Sequence, residues 1–519
     1  MSFDSAKTIV PARKKLESQQ DEALRELSAI DASNDVFDVL IVGSGISGAT
    51  AAYYLTQATD GPKSILIIDR GEVGAGSRER FSSRPAVGSA EAAKAEDLGD
   101  EKVYHPMNSG GVVFSPPHFA NGPTILKFSV RLYPTTTPNF IEHHGRDGTA
   151  RYLQMAALGI EIQKTLTKKL CADPSRVVEE RGSLLLAEAA DEANLREEFA
   201  LLQELGVGDC ELWERARVEE LHGKSAGFVA AIYFPNDARF DALSYTQALV
   251  AAARSAARCT VRVVSHCPAV IDVRDDATRG GTVTRLENGV TLRAKHAVVA
   301  TNGLFLDLHL AGILVPCWSY FAALPHPRDP LLPQAGATSA SAVAPPFMGG
   351  RSSHNYMTYG FSHDWCVTNG VYRVSGADHF SALKPPRAGV RSRQLAEWTY
   401  EKYPHMKQYL PPGQDIPGVR SSKPDADPHV PNWLKGRYVY GVYAETPDYL
   451  PLVGKTNAKS NVCYVVGCNA WGQASMTYSA SLVPGLLGYA KFTPEQADHA
   501  RDLAISRFKT QPVYLRGRI

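Results

Sequence analysis

The first regular stretches of this chain are unbroken apolar runs, not alternating ones. Phe37-Asp38-Val39-Leu40-Ile41-Val42 stops at Gly43, the pattern of a strand buried on both faces of a parallel sheet. After Gly-Ser-Gly-Ile-Ser-Gly come Ala49-Thr50-Ala51-Ala52-Tyr53-Tyr54-Leu55, small and apolar at helical spacing. Ser64-Ile65-Leu66-Ile67-Ile68 repeats the buried-strand pattern and ends on Asp69. Strand, Gly-rich turn, helix, strand and acid make one complete βαβ unit.

Around this unit the pattern is uneven. Residues 1–35 are highly charged; Ala23-Leu24-Arg25-Glu26-Leu27 suggests one short amphipathic helix, and a solvated extension is expected ahead of one that docks on the body or contacts a partner. Residues 77–140 show little periodicity, and so long a connection reads as a lid, an interface or a partly disordered insertion. Helical spacing predicts helices at 148–170, 191–206, 474–491 and 493–508. Strand-rich stretches fall at 261–274, 290–301, 437–443 and 462–466, and Pro-rich irregular segments at 325–349 and 411–431. At 519 residues the chain exceeds one ordinary core, so two domains or an interleaved pair are expected.

Composition narrows the function classes. With 44% hydrophobic and 21% charged residues the chain is ordinarily globular. Its 55 basic residues balance 54 acidic ones, so the basic excess of a phosphate-tracking surface is missing and nucleic-acid binding is not expected. No run approaches the roughly 18 apolar residues of a membrane span, and the charged N-terminus is unlike a secretory signal. Eight scattered cysteines read as buried, reduced thiols in a cytoplasmic protein. Neither His143-His144 nor Cys463 and Cys468 have metal-ligand spacing, so no metal is expected.

Gly43, Gly45 and Gly48 form G-x-G-x-x-G, with Ser44, Ile46 and Ser47 between them. The first glycine permits a tight turn, the second lets backbone approach a pyrophosphate, and the third allows close helix packing. The helix N-terminal amides then face the phosphates. Asp69, 21 residues past Gly48, stands where a carboxylate accepts from ribose hydroxyls. NAD and FAD both use this unit.

The stretch after Asp69, from Arg70 through Gly76 and Ser77, resembles the turn after the second strand in flavoenzymes of the D-amino-acid oxidase, glycine oxidase and sarcosine oxidase (DAO) family. Phe240-Asp241-Ala242-Leu243-Ser244-Tyr245 with its alanine-rich continuation resembles a helix of that family. Pro268-Ala269-Val270 resembles its adenine-side strand, where the backbone at Val270 would meet the adenine. Ala297-Val298-Val299-Ala300-Thr301-Asn302-Gly303 resembles the strand returning to the nucleotide domain. The fullest match is Thr446-Pro447-Asp448-Tyr449-Leu450-Pro451-Leu452-Val453-Gly454, followed by Gly467-Cys468-Asn469-Ala470-Trp471-Gly472-Gln473. In the family, that second turn sets backbone amides against the flavin, and the helix dipole favours negative charge there.

The resemblance implies FAD, held non-covalently, and an α/β fold. A Rossmann-like FAD-binding domain of the glutathione-reductase type would be interleaved with an α+β, sheet-based substrate domain. The FAD-binding parts would be 36–150, 238–312 and 438–495, and the substrate parts 151–237 and 313–437. Residues 1–35 would be an extension and 496–519 a C-terminal helix and tail. Hydride transfer from the carbon beside an amine to flavin N5 would give an imine that hydrolyses, with oxygen or another acceptor reoxidising the flavin. A 2-hydroxy-acid dehydrogenase and a flavin-bound scaffold with little turnover are the alternative readings.

Substrate residues follow less directly. Tyr443 stands where glycine-oxidase-like members carry a carboxylate-binding arginine, and Gly441 where sarcosine-oxidase-like members carry the cysteine that tethers flavin. Arg373 falls near a lysine that assists oxygen in the latter group. Arg373, Tyr443 and Trp471 are therefore the candidate catalytic residues, and Tyr356, Tyr443 and Trp471 the candidate substrate contacts. With Tyr359 and Tyr449 these aromatics would form a wall suited to a cationic or apolar amine. Ordinary core packing explains aromatics equally well. His354, His363 and Asp364 are candidate polar contacts, and His105 a candidate covalent tether.

Overall fold

The computed structural model describes residues 6–74, 127–129, 137–180, 182–302, 310, 313–325, 361–366, 371–380, 388–404, 438–469 and 472–508. In chain order the first elements are α1 (Ala6–Ser33), β1 (Val36–Val42), α2 (Ile46–Gln57), β2 (Ser64–Ile68), β3 (Lys127–Ser129), α3 (Thr137–Leu170), β4 (Val178–Glu179) and β5 (Ser183–Glu188). Next are α4 (Glu192–Glu204), β6 (Glu211–Glu214), α5 (Arg215–His222), β7 (Phe228–Phe234), β8 (Ala238–Phe240), α6 (Ala242–Arg254) and β9 (Thr260–Val264). Then follow β10 (Val270–Asp275), β11 (Thr282–Leu286), β12 (Thr291–Asn302), β13 (Val315–Pro325), β14 (Phe361–Cys366), β15 (Val371–Phe380) and α7 (Ala388–Lys402). The last are β16 (Tyr438–Glu445), β17 (Leu452–Lys455), β18 (Val462–Val466), α8 (Gly472–Ser481) and α9 (Pro494–Asp502).

The apolar run of β1 is unbroken because both faces of its sheet are covered. Val39 and Ile41 join Ile65, Ile67 and Val298 in one cluster that contains Ala51, Ala52 and Leu55 of α2. Leu40 and Val42 join Leu66, Ile68, Ala297 and Val299 in a second cluster. Successive side chains of a strand point to opposite faces, so Val39, Leu40, Ile41 and Val42 are all buried. The strand order is β10-β11-β12-β1-β2-β9, with β18 on the second half of β12 and β17 beyond it. Pairing is parallel at β12–β1, β1–β2, β2–β9 and β12–β18, and antiparallel at β10–β11, β11–β12 and β17–β18.

The expected solvated extension is instead part of the second cluster. Ala23, Leu27 and Ile30 of α1 are buried beside Phe37, Leu40 and Leu66. Their i, i+4, i+7 spacing makes one apolar stripe, and that stripe closes a sheet face left open otherwise. Glu26 pairs with Arg262 at 2.9 Å, and Asp31 accepts from the Thr291 amide at 3.1 Å. Charge along the other sides of the helix hid this stripe. Other boundaries also move. The predicted helix at 474–491 ends at Ser481, because a separate turn at Val483–Leu486 starts with Pro484 near its first position. The helix expected from 148 begins at Thr137, with Gly145 at φ 66° interrupting it. Of the irregular 77–140 stretch, 127–129 and 137–140 are described, and they are a strand and the start of this helix. The Pro-rich segment at 411–431 lies outside the described residues, as does 326–349 of the other.

Beyond the main sheet lie an antiparallel sheet of order β14-β15-β13-β16, one of order β5-β7-β6 and a small one of order β3-β8-β4. A buried contact ties α5 to the end of α7: His222 Nδ1 lies 2.8 Å from the Tyr403 hydroxyl. Burial pushes His222 down to about 4, so it is neutral at pH 7 in the fold. An unfolded histidine binds its proton near 6.5. Between those values the unfolded chain therefore holds more protons, and stability is lost as pH falls from about 6.5 towards 4. The loss expected from this one residue is about 3 kcal/mol. Urea denaturation across that range should show a steeper decline for the wild type than for His222→Asn; equal declines would contradict the assignment.

Candidate active site

The carboxyl ends of β1, β2, β12 and β18 lie side by side, and the predicted nucleotide residues gather there. Gly43, at φ 102°, donates its amide to Ile68 O at 2.9 Å. A Cβ at Gly43 would stand 2.6 Å from Ala300 O, and one at Gly48 only 1.9 Å from Gly43 O. Both positions thus admit hydrogen alone. Gly45 caps α2 in extended conformation with no side-chain hydrogen bond to the helix. The amides of Ile46 and Ser47 open that helix, where no intrahelical acceptor exists.

Asp69 shapes this turn. Its Oδ2 accepts from the Ser44 amide at 2.6 Å and the Ser44 hydroxyl at 2.8 Å, and its Oδ1 from the Gly71 amide at 2.8 Å. Its own amide donates to Val264 O, and its carbonyl accepts from Cys267 N. One residue thereby joins the Gly-rich turn, the end of β2 and the end of β9. Arg70 is exposed beside it. Val270 opens β10, and Thr301 and Asn302 close β12. Gly76, Ser77 and Gly303 lie outside the described residues.

A second turn stands on the end of β18. Asn469, at φ 51°, donates its backbone amide to Ala444 O at 3.1 Å. Its Oδ1 accepts from the Thr446 amide at 2.7 Å, and its Nδ2 donates to Gly467 O at 2.9 Å. Two of these bonds fasten the turn to the end of β16, and the third closes the turn on itself. Gly467, at φ 74°, lies against Leu314 and Thr446, where a Cβ would come within 3.2 Å of both. Gly472 starts α8 packed on Cys468; a Cβ there would meet Cys468 Cβ at 2.4 Å. Ala470 and Trp471 lie outside the described residues, as do Tyr356, Tyr359, His354 and His105.

The loop before this turn is held from behind. Asp448 is buried, and its carboxylate receives Arg507 Nε at 2.7 Å and Nη2 at 3.1 Å. Burial alone would raise its pKa, but the Arg507 charge and hydrogen bond outweigh burial and keep it ionised below the usual range. Arg507 also donates to Leu450 O and Leu503 O, each at 2.7 Å. His144 Nε2 sits 2.6 Å from Asp448 O; burial lowers its pKa, so a neutral ring donates that hydrogen. The adjacent histidines thus serve a loop, and no cluster that could hold a metal exists among the described residues. Tyr449, at φ 63°, packs edge-on against His143. A buried tyrosine in the left-handed region is strained, and the bonds at Asp448 and Leu450 hold it there.

The candidate substrate residues divide. Tyr443 is buried on β16 and donates its hydroxyl to Glu445 Oε1 at 3.0 Å. Ala444 and Thr446, on either side of Glu445, are the residues bonded to Asn469. Tyr443 and Glu445 therefore adjoin the second turn. Arg373 does not. It pairs with Ala323 of β13, whereas Tyr443 pairs with Cys317. Six residues along β13 separate these positions by about 20 Å. His363 and Asp364 lie on β14, with Asp364 opposite Arg373.

These two turns, on the ends of strands that flank β12, occur where a single family model covers the chain. The model described as FAD dependent oxidoreductase, DAO, matches residues 38–483. The chain belongs to this family. It is an FAD-dependent oxidoreductase of mixed α/β fold with a Rossmann-like nucleotide-binding sheet. No curated protein sequence matches it. Among solved structures it is similar to glycine oxidase from Geobacillus kaustophilus, at 16% identity and TM-score 0.58, over 91% of this chain and 98% of that one. L-proline dehydrogenase from P. horikoshii matches at 13% identity and TM-score 0.55, over 92% and 98%. L-amino acid deaminase from Proteus vulgaris, lacking its specific insertion, matches at 16% and 0.54, over 91% and 94%.

The residues of this DAO-family chain fit the flavin nucleotide. Gly43 and Gly48 leave backbone bare where a pyrophosphate would approach, and both helix N-termini open at strand ends. Several contributors carried no readable motif. Gly159 of α3 touches Ala474 so closely that a Cβ would lie 2.0 Å from its carbonyl oxygen. Gln163 donates to Gln473 O at 2.9 Å and to Thr477 Oγ1 at 2.8 Å. Helix α3 thereby sets the position of α8. Gly159→Ala should push the first turn of α8 away, lower the melting temperature by several degrees and weaken FAD retention. Gly208→Ala, at an open position, should do neither; indistinguishable variants in thermal melts and flavin-release assays would contradict this.

Proposed function

We propose that this flavoenzyme oxidises the C–N bond of an amine or amino acid, with FAD held non-covalently across the two turns. The observation that carries the reading is the fastening of β16 to the second turn through Asn469, which sets Tyr443 and Glu445 beside the loop that would receive the flavin. The names of the similar structures, a glycine oxidase, a proline dehydrogenase and an amino acid deaminase, support C–N chemistry. When bound, FAD supplies the acceptor for the hydride that leaves the carbon beside nitrogen.

The roles of the chain's residues follow from their chemistry. The backbone of Gly43, Ser44, Gly45, Ile46, Ser47 and Gly48 would hold the pyrophosphate, with Asp69 towards the ribose and Arg70 at the rim. Val270 would flank the adenine, and Thr301 and Asn302 the nucleotide's middle. Gly467, Asn469 and Gly472 would carry backbone against the ring, and Asp448 would act on the loop through Arg507. The main sheet is then the FAD-binding part and the β14-β15-β13-β16 sheet the substrate part. Tyr443, buried and hydrogen-bonded to Glu445, would orient the substrate nitrogen and exclude water. With no cysteine at Gly441, flavin should leave the chain on denaturation.

Anaerobic addition of amines, amino acids and 2-hydroxy acids to the purified protein tests the reading. An amine or amino acid should bleach the visible flavin band, and Tyr443→Phe should slow that bleaching by about tenfold. Bleaching by hydroxy acids alone would overturn C–N oxidation.

A further inference from the structure

One buried polar side chain at the site has no hydrogen-bond partner among the described residues. Gln473 occupies the first turn of α8, directly after Gly472, and only 4% of it is exposed. Its backbone carbonyl is used, accepting from Gln163 and Thr477. Its side chain is not: neither Nε2 nor Oε1 has a hydrogen-bond partner among the described residues. Burying a carboxamide with both ends unmet is costly, and native interiors seldom do it. The position itself has free backbone donors, because α8 opens there.

Resting on the reading that FAD binds at this turn, we propose that the Gln473 carboxamide hydrogen-bonds the pyrimidine edge of the flavin ring. The pattern of unmet groups selects that edge. A pyrophosphate offers acceptors only and would leave Oε1 orphaned. The pyrimidine edge offers an N–H between two carbonyls, so Oε1 accepts from N3–H while Nε2 donates to a neighbouring carbonyl. Donation to a ring carbonyl favours the electron-rich reduced ring. Gln473 is therefore a positioning residue that raises the flavin's midpoint potential.

The test uses the apoprotein and holoprotein of the wild type and Gln473→Leu, with FAD and N3-methyl-FAD as probes. Leucine keeps the bulk and removes both hydrogen-bonding ends. Without flavin, the variant should melt at the wild-type temperature or above it, because an unmet amide has gone. With flavin, its affinity for FAD should fall about tenfold and its midpoint potential should become more negative. The wild type should bind FAD about tenfold more tightly than N3-methyl-FAD, and the variant should bind the two alike. Equal discrimination by both proteins, or an unchanged potential, overturns the proposal even if amine oxidation stands. An effect confined to the substrate KM also overturns it, assigning Gln473 to substrate. A folded wild type that takes up no flavin of either kind overturns the underlying reading as well.

Discussion

The structure depends on how closely α2 approaches β1. The carbonyl of Gly43 lies where a Cβ at Gly48 would be, and the carbonyl of Ala300 where one at Gly43 would be. Helix, strand and neighbouring strand therefore meet through backbone alone. That contact sets the α2 N-terminus at the carboxyl end of the parallel strands, the crevice where open α/β sheets bind ligands. It also explains the small residues of α2: Ala49, Ala51 and Ala52 are fully buried, and larger side chains would hold the helix off the sheet.

Strain and polar bonding gather at the same end of the sheet. Asn302, Tyr449 and Asn469 all adopt positive φ without being glycine, and each sits where a strand ends or a loop turns beside the site. Such conformations persist only where surrounding bonds outweigh their cost. For Asn469 those bonds are to Ala444, Thr446 and Gly467; for the Tyr449 loop they come from Arg507 and His144. Arg507 lies past the end of the matched family region, so the C-terminal part of the chain stabilises a loop central to the site.

How much of this was legible depended on how local the cause was. The βαβ unit could be read closely, since Gly43, Gly48 and Asp69 act within one supersecondary unit and β2 ends where the apolar run ends. The turn at Gly467–Gly472 was legible through resemblance. What escaped were residues whose partners lie far along the chain. Gly159 looks like any helix glycine until Ala474 is brought against it, and Arg507 is one arginine among many until it meets Asp448, 59 positions away. Helix α1 was legible only as a short amphipathic stretch at 23–27; its full length and its docking escaped because the three buried positions in a charged 28-residue helix are a weak signal without the sheet face they cover. Arg373 was placed by likeness, and strand register, which no local pattern encodes, sets it far from Tyr443.

In the proposed function both turns, built from distant parts of one chain, hold a single FAD without a covalent bond. The most direct measurement is the flavin content of the purified protein before and after acid precipitation. The expected result is about one FAD per chain, all of it recovered in the supernatant with its fluorescence restored. A folded, monodisperse protein that carries no flavin and takes up none when supplied with FAD would contradict it.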